Sequence, residues 1–311
     1  MYRRTIEIGT PGSRLSLASK QLAIDRPNHA RVTIPVSDLG VLIVDDRQAT
    51  YTQSVFSELM NSGTAVIVTG DDHLPLGVML PLQGYHFQTE RHIEQVGAPL
   101  PLRKRIWQAL VRAKIAQQAA ILGYFQVDNR GLVALAARVR SGDNGNLEAQ
   151  AAQRYWPLMF GSGFRRDREA DGINAFLNYG YAVIRAAVAR AVAGAGLIPS
   201  LGVFHKRRSN PFCLADDLFE PYRPFVDWRV RLMRDTCTFA EGLSSRENRA
   251  ALLSLLNEGV LVGTRRLPLL GAIEASATSL ARCFAEGRVE LDLPRGLPLG
   301  QTAYGEEPGP E

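Results

Sequence analysis

The chain has 311 residues, of which 46% are apolar and 22% charged, with a formal net charge of +5; this fits one large globular domain or two ordinary ones and excludes a disordered chain. Its three cysteines, Cys213, Cys237 and Cys283, are odd in number and lack CxxC spacing, which argues against a zinc ribbon and a disulfide framework. No apolar run approaches a membrane span and no charged-then-apolar leader opens the chain, so a cytoplasmic protein without a membrane partner is expected.

The first ninety residues read as strands. Thr5–Ile8, Arg31–Val36, Val41–Val44 and Ala65–Val68 are short and β-branched, and turn signals at Gly12-Ser13, Pro27-Asn28, Asp45-Asp46 and Asp71-Asp72 separate them. One helix is predicted among them, from Thr52 to Asn61, with Thr52 as its cap. Gly97-Ala98-Pro99 marks a boundary, and residues 91–101 read as a linker. From Leu102 the period becomes helical: Ile106, Trp107, Leu110, Val111, Lys114, Ile115 and Gln118 recur at spacings of three and four. Further helices are predicted at Leu135–Val139, Leu147–Phe160, Ala182–Ala193, Phe225–Phe239, Arg246–Leu256 and Leu267–Phe284. The tail is rich in Pro and Gly and acidic at its end, so residues 291–311 are expected to be disordered. The expected class is α+β: a β-rich, sandwich-like domain over 1–90, then a larger all-α domain over 102–290.

Charge is unevenly spread. Residues 1–100 carry 8 Lys/Arg and 10 Asp/Glu, so the rest of the chain carries a net +7. Between 101 and 140 stand Arg103, Lys104, Arg105, Arg112, Lys114, Arg130, Arg138 and Arg140 against one acid, Asp128. Such a block can neutralise nucleic-acid phosphates, and it is equally the signature of a solvated helix face.

The densest chemistry lies between His205 and Pro224, where an imidazole and the carboxylates of Asp216, Asp217 and Glu220 stand among Lys206, Arg207, Arg208, Ser209 and Arg223. A hydrophobic core has no use for that mixture, because burying unpaired charge is costly. A metal site facing a phosphate backbone uses all of it. If Leu214–Glu220 is helical, Asp217 and Glu220 share a face, and Pro221 restricts Glu220 away from helical geometry, aiming it out of the ladder. With Glu148, upstream at another polar-to-apolar junction, His205 and Glu220 make a mainly hard donor set, suited to Mg²⁺ or Mn²⁺ rather than structural zinc. Taken singly the residues are ordinary: Asp216-Asp217 can be a surface turn, and Glu148 can serve a helix dipole.

The segments Ile106–Ala119, Gly145–Trp156, Leu177–Ala182 and Gly196–Pro199 through His205 to Pro224 occur in an order and spacing that resemble the CRISPR-associated adaptation integrases, the first Cas protein, in the version accompanying type II systems. The resemblance runs from Arg4 to about Phe284. It implies a dimerising β-rich domain and a helical catalytic domain with metal ligands at Glu148, His205 and Glu220, assisted by Asp217. It also implies a homodimer, joined as a hetero-hexamer with the small second Cas protein, that captures double-stranded DNA and joins its 3′-hydroxyl ends to a CRISPR repeat. The type II effector nuclease is a further expected partner. The expected DNA contacts are Arg103, Arg112, Lys114, Arg165, Arg166, Lys206, Arg207 and Arg208, with Asn178, Tyr179 and Tyr181 either lining the DNA ends or packing the helix. A scaffold without catalysis and a nuclease for branched DNA are the alternatives.

Overall fold

The computed structural model describes residues 3–71, 73–82, 86–235 and 242–299. Strand β1 (Arg4–Ile8) runs parallel to β5 (Leu39–Val44), β5 runs parallel to β7 (Ala65–Thr69), and β8 (Pro75–Met79) completes this sheet antiparallel to β7. A second sheet has the order β4 (Val32–Pro35), β3 (Gln21–Asp25), β2 (Arg14–Ala18), β6 (Thr50–Tyr51). Helix α1 (Gln53–Asn61) lies where its apolar spacing placed it, burying Val55 and Leu59.

Every residue of β5 is buried. Because a strand's side chains alternate between faces, Leu42 and Val44 enter a core shared with the second sheet and α1, and Leu39 joins them across the register shift at Gly40. Val41 and Ile43, with Ile67, enter the core of the helical part instead. The apolar run Leu39–Val44 thus serves two cores, as strands covered on both faces do.

The two parts also share an ion cluster. Arg249 donates from Nε to Glu7 at 2.6 Å, lies 3.0 Å from Asp45 through Nη2, and donates from Nη1 to the Leu243 and Ser244 carbonyls. Asp45 also accepts from Thr69 Oγ1 at 2.6 Å and meets His73 Nδ1 at 2.9 Å.

Residues 91–101 are not a linker. Helix α2 (Gln88–Gly97) and the start of α3 (Leu100–Tyr124) occupy them, and Ala98-Pro99 forms the turn between. Pro99, extended at ψ 150°, precedes the first turn of α3 as prolines commonly do. Helix α3 runs through the centre of the helical part, touching α4 (Leu132–Arg138), α5 (Leu147–Phe160), α7 (Cys213–Phe219) and α8 (Arg223–Asp235). The long α6 (Ile173–Gly194) packs on α7, α8 and α10 (Leu269–Glu286), while α9 (Arg246–Leu253) carries Arg249. Of the predicted helix Phe225–Phe239, residues 236–239 lie outside the described residues, as does Cys237.

The helical part is not purely α. Strand β9 (Gly259–Val262) sits between β10 (Arg265–Pro268) and β11 (Pro294–Leu299), both antiparallel to it. Gly263, at φ 61°, supplies the positive φ of the hairpin turn between β9 and β10. Strand β11 takes residues expected in a disordered tail, and Gln117 of α3 donates to the Pro294 carbonyl beside it; the tail beyond 299 lies outside the described residues. No helix among the described residues is long and apolar enough to cross a membrane.

Candidate active site

Glu148 stands in the first turn of α5. The turn before it, Gly142 to Asn146, is left-handed at Gly142 (φ 78°), Asp143 (φ 49°) and Asn146 (φ 49°). Asp143 accepts hydrogen bonds from the backbone N–H groups of Leu147 (2.9 Å) and Glu148 (3.1 Å). It therefore satisfies donors that a helix start leaves open and fixes where Glu148 begins. The run Gly142-Asp143-Asn144-Gly145-Asn146 carried that signal in its turn residues.

Glu220 stands where α7 ends and α8 begins, within a 3₁₀ turn over Glu220–Tyr222. Pro221 was expected to displace it from helical geometry, yet its backbone is helical at φ −53°, ψ −44°. The change from α to 3₁₀ hydrogen bonding accommodates the proline, which at the start of a helical turn gives up no needed donor.

Lys114 of α3 joins the two glutamates. Its Nζ lies 2.5 Å from Glu148 Oε1 and 2.5 Å from Glu220 Oε2. Arg223 Nε donates to the other Glu220 oxygen at 2.9 Å. Burial works to raise the Glu220 carboxyl, but Arg223 and Lys114 outweigh it and hold it at about 2. Burial likewise works to lower the Lys114 ammonium, and Glu220 and Glu148 outweigh it, raising it. Exposure falls across the three: the Glu148 side chain is 25% exposed, Lys114 11% and Glu220 5%.

His205 lies on the loop between α6 and α7. Gln95 pins that loop, donating to the Ile198 and Leu201 carbonyls and accepting from the Ile198 N–H. Asp217, on α7, accepts from the backbone N–H groups of Val203 (2.6 Å), Phe204 (3.0 Å) and His205 (3.1 Å), and meets His205 Nδ1 at 2.6 Å. Gly202 is required here: a Cβ would stand 2.5 Å from the His205 carbonyl oxygen and 2.7 Å from Asp217 Oδ2. The Asp217 hydrogen bond raises the His205 pKa against the effect of burial. Asp217, expected beside the ligands on the face of Glu220, is instead wholly engaged by this loop. It holds the imidazole through Nδ1, leaving Nε2 as the ring nitrogen that Asp217 does not engage. Trp107, stacked on Phe204 with ring centroids 4.1 Å apart, packs edge-on to the His205 ring.

Among the described residues, no three His, Cys, Asp or Glu side chains stand close enough to hold one metal in this arrangement; the ammonium of Lys114 occupies the point on which the two glutamates converge. The donor chemistry nonetheless fits a hard divalent ion. Two carboxylates aim at one position, and an imidazole near them has its second nitrogen fixed by a carboxylate, the usual support of a metal-binding histidine.

The expected DNA contacts divide. Lys206, Arg207 and Arg208 are exposed directly after His205, and Arg165 is exposed before α6. Arg103 donates to the Val96 carbonyl at the end of α2. Arg112 donates to the Val139 carbonyl from Nε and Nη2, closing α4. Arg166 donates to Asn174 and Asn178, and Asn178 donates in turn to the Arg168 carbonyl. Lys114, placed among the phosphate contacts by its charge, is buried between carboxylates. Tyr179 is fully buried, its hydroxyl pushed up in pKa by burial and by Glu7 at the junction with the sheet. Positions 178, 179 and 181 on one helix cannot share a face, so the three cannot line one DNA end together. Tyr181 donates to buried Asp227, which also accepts from Tyr155. The Tyr181 ring lies under the guanidinium groups of Arg166 and Arg223, at 5.3 and 5.1 Å from its centroid. Arg223, three residues after Glu220, was missed as part of the site; its helical spacing was the available signal.

The family model for CRISPR associated protein Cas1 matches residues 6–254. The chain belongs to the Cas1 family. It is 36% identical to the CRISPR-associated endonuclease Cas1 of Neisseria meningitidis over 301 residues, covering 94% of this chain and 96% of that protein. The fold is that of a casposase bound to its integration product (TM-score 0.77, 19% identity, 93% and 92% of the two chains). It is also that of a chain in a Cas6-RT-Cas1–Cas2 complex (TM-score 0.70, 16% identity), covering 92% of this chain and 35% of that one. The α+β class and the Cas1 kinship expected from the four segments are thus shown, and the segments Gly145–Trp156 and His205–Pro224 contain Glu148, His205 and Glu220.

Proposed function

We propose that this Cas1-family chain is a metal-dependent DNA endonuclease and integrase of CRISPR adaptation, joining 3′-hydroxyl ends of short double-stranded DNA to a CRISPR repeat. The observation that carries this reading is the convergence of Glu148 and Glu220 on one point, with His205, whose Nδ1 is held by Asp217, near enough to act on the Glu220 charge. Kinship with a named endonuclease supports the phosphodiester chemistry, and the fold shared with a DNA-joining casposase supports the direction of the reaction.

Glu148, Glu220 and His205 Nε2 would hold Mg²⁺ or Mn²⁺, which when bound stabilises charge on the attacking and leaving oxygens of an in-line displacement. Lys206, Arg207 and Arg208 hold the DNA backbone next to the imidazole through charge that is indifferent to sequence. Arg223 keeps Glu220 ionised and in place. The reaction is a transesterification: the incoming 3′ oxygen bonds to the repeat phosphorus as the repeat's own 3′ oxygen leaves, so no protein nucleophile is called for. The partners of this reading are double-stranded DNA, a second copy of the chain joined through the β-rich part, and Cas2 in a hetero-hexamer. The Cas2-containing complex that shares the fold supports that partner. The type II effector nuclease is a further proposed partner, and the setting is the prokaryotic cytoplasm.

The test is joining of a short 3′-hydroxyl duplex to a supercoiled repeat plasmid, with and without Cas2, in Mn²⁺, Mg²⁺ or EDTA. Metal-dependent attachment that His205→Ala abolishes while the variant stays folded is expected. Tight DNA binding with no joining in any metal would favour a catalytically inactive scaffold, and cleavage confined to branched DNA a structure-specific nuclease.

A further inference from the structure

Lys114 is the one group in this pocket whose place the reaction leaves unexplained. It belongs to α3, while Glu148 belongs to α5 and Glu220 to the α7–α8 junction. Its Nζ meets one oxygen of each glutamate at 2.5 Å. The nitrogen thus stands between the two carboxylates, and an ion held by both would need the space that the ammonium fills, which two cations do not share.

We propose that Lys114 is an internal counter-cation of the metal site: it occupies the metal position between Glu148 and Glu220 when no metal is bound, and withdraws when a divalent ion enters. This rests on the metal-dependent reading above. Without the ammonium, two carboxylates, one of them nearly sealed from water, would face each other with only Arg223, on the far oxygen of Glu220, to offset them, an arrangement that is unfavourable. Lysine suits the role because its charge is a compact point on a flexible four-carbon stem. The ammonium can therefore leave by side-chain rotation while α3 stays packed through its buried neighbours Leu110, Val111, Ile115 and Gln118. Arg223 stays on the second oxygen of Glu220 throughout and keeps that carboxylate aimed. The consequence is a site that remains assembled without metal, at the expense of metal affinity, because each ion must displace a charge already there.

The experiment compares the full-length wild-type chain with Lys114→Met and Lys114→Gln. Free Mn²⁺ is followed by electron paramagnetic resonance during titration, and melting is recorded in EDTA and in Mn²⁺. Both variants are expected to bind Mn²⁺ at least about tenfold more tightly than wild type. Both should melt lower in EDTA and show a larger rise on adding Mn²⁺. A lysine that was merely structural would not tighten metal binding on removal. Should neither variant fold, acetylation of wild-type lysines read by peptide mass spectrometry carries the test, with Lys114 slow to label in EDTA and faster in Mn²⁺. Equal or weaker Mn²⁺ binding by the variants, or labelling of Lys114 that ignores the metal, overturns the proposal while leaving the metal site standing. No Mn²⁺ binding by the wild type or either variant overturns the metal reading along with it.

Discussion

Arg249 and Lys114 each stand between two carboxylates, yet the surroundings give the two clusters different tasks. Arg249 spends its donors on Glu7, Asp45 and two carbonyls, and its side chain is 4% exposed. Each of the three nitrogens of its planar fork meets a partner, and nothing can take its place without leaving several buried groups unpaired. Lys114 offers a single point of charge, and one of its two partners, Glu148, reaches solvent. The same pairing of one cation with two anions thus makes a fixed joint in one region and a replaceable occupant in the other. What differs is donor geometry and access, not charge.

The largest effect should come from breaking the joint. Arg249→Met leaves Glu7 and Asp45 buried without their cation, and a loss of about 3–5 kcal/mol in denaturant unfolding is expected, while DNA joining per folded molecule is kept. An equal loss for Lys114→Met in the presence of saturating Mn²⁺ would erase the distinction between the clusters.

Asp227 sharpens the comparison as a buried carboxylate met by two tyrosine hydroxyls rather than by a cation. Burial raises it from 3.8 to about 6, against the pull of Tyr181, Tyr155 and Arg223. The folded protein therefore holds a proton that the unfolded chain has released between those values. This contribution is full below pH 3.8 and disappears as pH rises through about 6. Stability measured by urea unfolding should shift in favour of Asp227→Asn over wild type from pH 4 to about 6 and level off above it. A difference flat with pH would mean that Asp227 is ionised in the fold throughout.

Asp217→Asn tests the imidazole's support. It keeps the shape but removes the charge behind His205, and Mn²⁺ affinity and joining should each fall about 10–100-fold. Wild-type affinity in that variant would detach the loop from the pocket. The smallest contrast lies among the arginines. Neutralising Lys206, Arg207 and Arg208 together should weaken DNA binding without sequence bias, lowering the salt slope by about 0.9 for each phosphate no longer neutralised. Arg112→Gln should leave the slope unchanged, because its guanidinium already serves the Val139 carbonyl.

The sequence made these two regions unequally legible. Glu148, His205 and Glu220 could be read because their residue types sit in recognisable ordered segments. Lys114 was visible twice, as a member of the apolar stripe Leu110, Val111, Ile115 and as one of a block of basic residues. The stripe was the better guide, since a lysine at core spacing needs buried anions, and its partners came from 34 and 106 residues away. The Arg249 joint left no local trace: Glu7 lies 242 residues from it, and neither residue has a neighbour that betrays the other. Tyr179 was drawn toward the DNA by Asn178 and Tyr181, although adjacent helix positions point apart. The small third sheet escaped because strands of four to six residues are too short for periodicity to separate them from the helices around them.

The strand from Leu39 to Val44 has a consequence for any attempt to divide the molecule. With Leu42 and Val44 facing one way and Val41 and Ile43 the other, neither half owns the sheet. A fragment ending near residue 90 would present Val41, Ile43 and Ile67 to water as a flat apolar surface, the kind that recruits other chains into aggregates. The complementary fragment would lose the wall that closes its own interior. What reads along the chain as two modules in series should therefore melt as one, and a limited proteolysis experiment should return either the whole protein or small peptides, with no durable half.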